Sequence, residues 1–182
     1  MMKEGNKKTV LTAEGIQEAL DRMTNTILSD FPETDRLVLI GIRTGGAFLA
    51  NRISELIKNK KAVLIQTGAL DITLYRDDWT RINHKPIIGK TEVPVCLDKK
   101  NIILVDDVLY TGRTVRAALD ALIDFGRPRR IALAVLVDRG GRELPICADY
   151  IGIQLPTSVQ ERVNVYLKEL GKNDQVTIES GN

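Results

Sequence analysis

The sequence lacks the features that would place it in a membrane or in a disulfide-stabilised secreted fold. No apolar run in its 182 residues approaches the roughly 18 residues of a membrane-spanning helix, and residues 1–12 lack the apolar core of a secretory signal. Its two cysteines, Cys96 and Cys147, have no neighbouring cysteine or histidine at ligand spacing, which argues against a disulfide framework or a zinc site. We therefore expect a cytoplasmic protein that does not bind a membrane, with both cysteines serving in packing.

The chain also carries little net charge. The formal charge of +2 is too small to create a strong field for nucleic acid. Residues 1–35 hold seven acidic and four basic side chains, so a nucleic-acid face would have to lie elsewhere. The one histidine, His84, and the one tryptophan, Trp79, fall in a polar stretch, and neither is assigned any chemistry.

Apolar runs of strand length alternate with stretches whose apolar residues recur at helical spacing. The predicted strands are 37–42, 62–66, 71–75, 101–105 and 131–137, and the predicted helices are 12–29, 47–57 and 115–125. Residues 75–95 are predicted to form a long loop or hairpin, and residues 162–167 and 175–178 an added C-terminal hairpin. This order predicts an α/β fold, a mainly parallel sheet flanked by helices, in a single domain over residues 1–182.

Two loops follow predicted strands at the edge of the sheet where open α/β folds bind ligands. The first is RTGG, residues 43–46, and the second is DDVLYTGRT, residues 106–114. The second contains Gly112, which allows close approach of the backbone to a ligand, and precedes a helix N-terminus that favours an anion. It is therefore a candidate phosphate cradle, although it matches neither the Walker motif nor GxGxxG.

The neighbouring carboxylates of Asp106 and Asp107 need an explanation, because like charges at the end of a buried strand cost stability. They could accept hydrogen bonds from sugar hydroxyls while the TGRT turn binds a phosphate, so a ribose 5-phosphate satisfies both parts of the loop. Local capping of the two acids, and a plain turn at RTGG, are the competing interpretations. A phosphate-receiving response regulator also has acids at strand ends, but it does not explain TGRT directly after them.

Residues 105–114, VDDVLYTGRT, resemble the phosphoribosyl diphosphate signature of type I phosphoribosyltransferases. With DITLYRDD, LAVLVDRG, RELPI, ADYIG and PTS, the likeness extends over nearly the whole chain to the PyrR family of pyrimidine operon attenuators and uracil phosphoribosyltransferases. The resemblance implies the type I phosphoribosyltransferase fold with a small hood. It also implies conversion of uracil and phosphoribosyl diphosphate to uridine monophosphate (UMP) and diphosphate. Mg²⁺ is expected to enter with the substrate rather than in a protein metal site, and UMP or UTP is expected as an effector.

The resemblance also assigns roles to individual residues. Asp106 and Asp107 would bind the ribose and act in catalysis, and residues 43–45 would form the diphosphate loop. Arg76 would lie in a mobile loop and meet the diphosphate, although it could equally be a solvated surface side chain. Uracil would be bound by Arg139, whose segment could also be an ordinary charged loop, and by Val163, which could also be simple core. The full nucleotide-binding set is Asp106, Asp107, Val108, Leu109, Tyr110, Thr111, Gly112, Arg113 and Thr114, and the diphosphate loop is Arg43, Thr44 and Gly45.

Tyr110 favours a pyrimidine substrate. In purine-salvage relatives the corresponding position holds an aspartate that faces the purine ring, and a tyrosine cannot take that acid–base role near neutral pH.

The chain departs from the family pattern at two glycines and in its first helix. Regulatory members carry an arginine where this chain has Gly45 and a histidine where it has Gly141, and their first helix is richer in arginine. Because RNA binding needs clustered cations, these departures count against RNA as a partner. The alternative function is nevertheless an RNA-binding attenuation regulator that senses uridine nucleotides with little catalysis. Relatives assemble as dimers or larger homo-oligomers, and Trp79, Ile87 and Ile88 are candidate contact residues.

Overall fold

Strands and helices alternate along most of the chain, as the sequence predicts. The computed structural model describes residues 7–76, 90–93 and 95–180. The strands are β1 (Lys7–Leu11), β2 (Leu37–Ile42), β3 (Gln66–Leu70), β4 (Asn101–Leu109), β5 (Arg130–Asp138), β6 (Tyr150–Gln154), β7 (Glu161–Tyr166) and β8 (Gln175–Ser180). The α-helices are α1 (Ala13–Asp30), α2 (Gly45–Lys61) and α3 (Arg113–Ile123).

A parallel five-stranded sheet with the order β3-β2-β4-β5-β6 forms the centre of the fold. Within β2, Leu37 and Leu39 pack in the apolar cluster that contains α1 and α2, whereas Val38 and Ile40 pack in the cluster that contains α3. The strand is therefore buried on both faces, which is why its sequence is apolar without interruption. This arrangement confirms the predicted fold class.

The direction of strand addition reverses between β2 and β4. From β2 the chain crosses to β3 on one side, and it then returns to place β4 on the other side. The loops after β2 and β4 therefore open on either side of the switch point, which is where open α/β sheets bind ligands. Residues 43–46 run from the end of β2 into the start of α2. Residues 106–114 run from the last four residues of β4, which extends past the predicted strand 101–105, into the start of α3.

A second, antiparallel sheet has the order β1-β8-β7. It contains the predicted C-terminal hairpin and adds β1 as a third strand. Val163 and Val176 join the apolar cluster of α1 and α2, so the two sheets share one core. Arg52 of α2 forms two ion pairs with the segment that connects β7 and β8. Its Nη2 lies 2.6 Å from Glu169 Oε2, and its Nη1 lies 2.7 Å from Asp174 Oδ2.

Two predicted strands are wrong in position or type. Residues 62–65 are not a strand, because Ala62 ends α2 with φ of 55° and Leu64 is 66% exposed, and β3 begins only at Gln66. The predicted strand 71–75 is instead a 3₁₀ helix, Thr73–Tyr75. The Asp71 carboxylate accepts a hydrogen bond from the N–H of Thr73 at 2.7 Å, a local turn that competes with extended structure.

Other features differ from the expectation or lie beyond the described residues. Strand β6 was not predicted, and Cys96 and Cys147 are exposed rather than packed. Most of the predicted 75–95 loop, including Trp79, His84, Ile87 and Ile88, lies outside the described residues. None of the helices in the described part of the chain has the length and hydropathy needed to cross a bilayer.

Candidate active site

Glycines bring the start of α2 against the end of β4. A Cβ added to Gly46 would lie 2.2 Å from the carbonyl oxygen of Val105, and one added to Gly45 would lie 2.4 Å from Asp107 Oδ2. These separations are far below van der Waals contact, so only glycine permits this approach. The RTGG loop and the acid pair, 60 residues apart in sequence, therefore form one site.

The two acids each accept a local backbone hydrogen bond, and their carboxyl groups also interact with each other. Asp106 is 6% exposed, and its Oδ1 accepts from the N–H of Asp107 at 3.0 Å. Asp107 Oδ1 accepts from the N–H of Val108 at 2.8 Å. No cation among the described residues pairs with either carboxylate. A bound ligand therefore remains the best explanation for two neighbouring acids at a buried position.

Burial dominates the electrostatics of the pair. It raises the pKa of Asp106 well above the ordinary value of an aspartate, and repulsion from Asp107 adds to the effect. Burial also raises the pKa of Asp107, and the hydrogen bond from the N–H of Val108 partly offsets this. The native state therefore bears a cost for keeping these groups charged.

We predict that Asp106→Asn stabilises the fold at pH 7. A carboxyl group whose pKa is raised in the native state binds a proton more tightly there than in the unfolded chain, so its contribution to stability falls as the pH rises above about 3.9. Asparagine removes that cost and keeps an oxygen for the N–H of Asp107. The expected gain is about 1 kcal/mol, or about 2–4 °C in Tm, and it should shrink towards pH 4 in calorimetric scans. Asp120→Asn, at an exposed position on α3, is the control, and a lower Tm at pH 7 for Asp106→Asn alone would contradict the burial argument.

Seven of the fifteen predicted site residues line a cavity of about 500 Å³ between the two loops, whereas Gly45, residues 109–113, Arg139 and Val163 do not. The predicted residues in its wall are Arg43, Thr44, Arg76, Asp106, Asp107, Val108 and Thr114. Asp71, which was not predicted, lines the cavity too. A neighbouring cavity of about 440 Å³ is lined by Asp107, Val108 and Val163. Leu109 is fully buried in the α3 cluster, so its side chain belongs to the core.

The turn after β4 presents an open helix N-terminus. Gly112, the N-cap residue, adopts φ of +91° and has no side chain with which to cap α3, although the N–H of Arg113 donates to Thr111 Oγ1 at 3.3 Å. Arg113, the first residue of α3, has its Nε 2.6 Å from Glu143 Oε2, and both side chains are about half exposed. Uncapped N–H groups and a nearby guanidinium are suited to binding an anion such as phosphate.

A family model described as the phosphoribosyl transferase domain matches residues 7–169. A curated protein named bifunctional protein PyrR, from Syntrophobacter fumaroxidans, is 52% identical over 98% of this chain and 96% of its own length. Another of that name, from Deinococcus deserti, is 54% identical over 94% of each chain. The chain belongs to the PyrR family of phosphoribosyltransferases. Solved structures agree on the fold: hypoxanthine phosphoribosyltransferase of Trypanosoma cruzi superposes with a TM-score of 0.72 at 17% identity, covering 96% of this chain and 97% of that one.

Gly45 and Gly141 differ from the residues that the resemblance leads us to expect in PyrR proteins, and each glycine contacts a site residue. Gly45 lies against Asp107, as described above. Gly141 has φ of +72°, and a Cβ there would lie 2.4 Å from Cε2 of the Tyr110 ring. A larger residue at either position would thus require Asp107 or Tyr110 to move.

Arg43, the arginine of the diphosphate loop, has partners in a distant segment. Its Nε donates to the carbonyl of Lys90 at 2.7 Å, and its Nη2 lies 3.4 Å from Glu92 Oε2. Residue 92 in turn pairs with Ala69 of β3 through two backbone hydrogen bonds. The peptide bond between Arg43 and Thr44 is cis. Glu92 was not predicted as a site residue, because no local motif marks it.

Arg139, predicted to contact the base, is buried under Tyr110. Its guanidinium lies 3.8 Å from the centre of the Tyr110 ring. Nε donates to Thr157 Oγ1 at 3.0 Å, and Nη2 donates to the carbonyls of Ser158 and Glu161 at 3.1 and 3.0 Å. These contacts fix the ring of Tyr110 in place, while contact between Arg139 and a base stays a prediction.

Proposed function

We propose that the protein is a uracil phosphoribosyltransferase, which transfers ribose 5-phosphate from phosphoribosyl diphosphate to uracil and releases UMP and diphosphate. Membership of the PyrR family supports the class of reaction. The single observation that supports the binding mode is the meeting of the acid pair, the RTGG loop and Thr114 around one cavity.

The proposed binding mode places each part of the substrate on a different element. The ribose hydroxyls donate hydrogen bonds to Asp106 and Asp107, and the 5-phosphate binds the turn of residues 111–114 at the start of α3. The diphosphate lies against residues 43–45 at the start of α2. Both phosphate groups would thus lie at helix N-termini, where N–H groups and the helix dipole favour negative charge.

In the reaction, N1 of uracil forms a bond to C1 of the ribose. The bond from C1 to the diphosphate oxygen breaks, the diphosphate departs with the electron pair, and the N1 proton passes to solvent. Positive charge develops on the ribose during this step, as in glycoside hydrolysis. The buried carboxylates of Asp106 and Asp107 stabilise that charge more strongly than water would, because the local dielectric is low.

Mg²⁺ is proposed to enter bound to phosphoribosyl diphosphate. Asp71, Asp106 and Asp107 line the cavity, but no group of three acidic, histidine or cysteine side chains among the described residues is placed to hold a metal ion by itself, so the substrate would supply oxygen ligands as well. When bound, the ion would neutralise charge on the departing diphosphate.

Tyr110 supports a pyrimidine as the acceptor base. Its ring is packed between Arg139 and Gly141, and it replaces the aspartate that faces the purine ring in purine-salvage relatives. The cavity at Asp107, Val108 and Val163 lies next to the proposed ribose site, and Arg162, Asn164 and Lys172 also line it, so it offers polar groups beside the two valines. We propose that uracil lies there.

An assay of UMP formation tests the function. With uracil, phosphoribosyl diphosphate and Mg²⁺, we expect UMP to accumulate, and hypoxanthine and guanine to react at least about 100-fold more slowly in kcat/KM. Absence of UMP formation by a protein that still binds UMP in calorimetry would contradict the enzyme assignment.

The RNA-binding alternative gains no support from the first helix. Arg22 is the one basic residue of α1, and its Nη2 donates to the carbonyl of Gly152 at 3.1 Å. Its acidic neighbour Asp21 is paired with Lys60 at 2.8 Å. RNA binding therefore stays a prediction from the resemblance, testable by a salt-dependent gel shift against scrambled RNA.

A further inference from the structure

Arg142 has no role in the proposed chemistry, yet its guanidinium donates four hydrogen bonds beside the turn of residues 111–114, called the phosphate turn here. Nη1 donates to the carbonyls of Tyr110 at 2.9 Å and Gly140 at 3.2 Å. Nε donates to the carbonyl of Ile146 at 2.9 Å, and Nη2 donates to Asp138 Oδ2 at 2.6 Å. The side chains of Arg142 and Asp138 are only 22% and 14% exposed. An arginine that bonds three backbone carbonyls and a carboxylate fixes the geometry of whatever carries those groups.

The next two residues hold the following peptide of the same turn. The N–H groups of Glu143 and Leu144 donate to the carbonyl of Thr111 at 3.0 and 3.1 Å. Residues 142–144, called the brace here, therefore bind two consecutive carbonyls, those of Tyr110 and Thr111. These carbonyls belong to the two peptide planes that open the TGRT turn.

Peptide planarity converts these contacts into a direction for the amides. In a planar trans peptide the C=O and the next N–H point in opposite directions. Because the brace holds the carbonyls of Tyr110 and Thr111, the N–H groups of Thr111 and Gly112 point away from it. Within the described part of the chain neither N–H has a hydrogen-bond acceptor. Both are therefore free to donate to a bound anion on the opposite side of the turn.

The brace is itself anchored to the central sheet. Asp138 is the last residue of β5, and its second carboxylate oxygen, Oδ1, accepts from the N–H of Gly140 at 2.9 Å. The N–H of Arg139 donates to the carbonyl of Leu109 at 3.1 Å. The phosphate turn follows β4 directly in the chain. The brace fixes it to β5 as well.

We propose that Arg142 is a positioning residue for the 5-phosphate: it aims the N–H groups of Thr111 and Gly112 at the phosphate without touching the substrate. This inference rests on the proposed function, because it assigns the 5-phosphate to that turn. It predicts that loss of the guanidinium weakens recognition of the phosphate and leaves recognition of ribose and base unchanged.

Arg142→Met tests this role, because methionine keeps much of the apolar stem and removes the donors. Binding of UMP and of uridine, which lacks the phosphate, would be measured by titration calorimetry. We expect the affinity for UMP to fall about 10- to 100-fold, which is the loss typical of one charge-assisted hydrogen bond, here from the turn's N–H groups to the phosphate. The affinity for uridine should stay within about threefold. In steady-state kinetics the KM for phosphoribosyl diphosphate should rise and the KM for uracil should not. Arg142→Lys, which keeps one charged donor, should restore part of the preference for UMP.

Arg22→Met is the matched control, because Arg22 also donates to a backbone carbonyl, that of Gly152 on β6, but far from the turn. It should leave the ratio of UMP to uridine affinity unchanged. If Arg142→Met does not fold, Asp138→Asn removes the charged anchor of Arg142 and should lower the same ratio by a smaller factor.

The outcomes separate the two proposals. A wild-type protein that binds UMP no better than uridine would contradict the phosphate turn and hence the proposed function. A wild-type preference for UMP that survives intact in Arg142→Met, or in Arg142→Lys and Asp138→Asn, would overturn the positioning role alone. A lower Tm for Arg142→Met with an unchanged preference for UMP over uridine would also overturn the positioning role.

Discussion

Asp107→Asn is expected to lower kcat by about 100-fold or more, with little change in the fold. The substitution keeps the volume of the side chain and removes a negative charge next to the carbon where positive charge develops. Burial already raises the pKa of Asp107, so the native state does not need that charge for stability. An asparagine oxygen can still accept the hydrogen bond from the N–H of Val108, which Asp107 Oδ1 accepts at 2.8 Å.

Steady-state kinetics and thermal unfolding of the same preparations check this expectation. Asp120→Asn is the control, because Asp120 lies at an exposed position on α3, where it pairs with Arg116 at 2.7 Å, and the substitution removes the same charge outside the cavity. It should leave kcat within about twofold. Unchanged kinetics for Asp107→Asn would refute the assignment of this carboxylate to the ribose.

Gly46→Ala is expected to destabilise the protein strongly. The added Cβ would lie 2.2 Å from the carbonyl oxygen of Val105, and that oxygen belongs to a buried backbone that cannot rotate away. The start of α2 would have to move off β4, which would separate the diphosphate loop from Asp107. We expect a loss of about 3 kcal/mol, or about 6–12 °C in Tm, and loss of most activity in the folded fraction.

Gly15→Ala provides the comparison for that variant. Gly15 lies in α1, and its added Cβ would meet only the flexible end of the Leu11 side chain at 3.2 Å. Because alanine is the better helix former, Gly15→Ala should be neutral or slightly stabilising. Equal Tm changes for the two variants would show that the close approach at Gly46 does not constrain the site.

The central sheet could be predicted because burial on both faces leaves a direct signal in the sequence. The apolar run of β2 matches its observed bounds, and the helical spacing of residues 12–29 predicts α1. Residues 62–66 show the weakness of the same signal. A short apolar run does not reveal that Leu64 lies exposed beyond the end of a helix.

The candidate site could be predicted in part for a similar reason. The acid pair and the turn at Gly112 are consecutive in sequence, so their local geometry follows from one strand and one helix. The contact between Arg43 and Glu92 joins residues 49 positions apart, and the brace at Arg142 depends on the register of β5 against β4. No spacing along the chain encodes such contacts, so the sequence does not show that Thr157 and Glu161 hold the side chain of Arg139.

A crystal structure of the protein with UMP and Mg²⁺ is the most direct test. We expect the 5-phosphate within hydrogen-bond distance of the N–H groups of Thr111 and Gly112, and the two ribose hydroxyls on the carboxylates of Asp106 and Asp107. A nucleotide bound with its phosphate elsewhere, or with its ribose away from both carboxylates, would contradict the account.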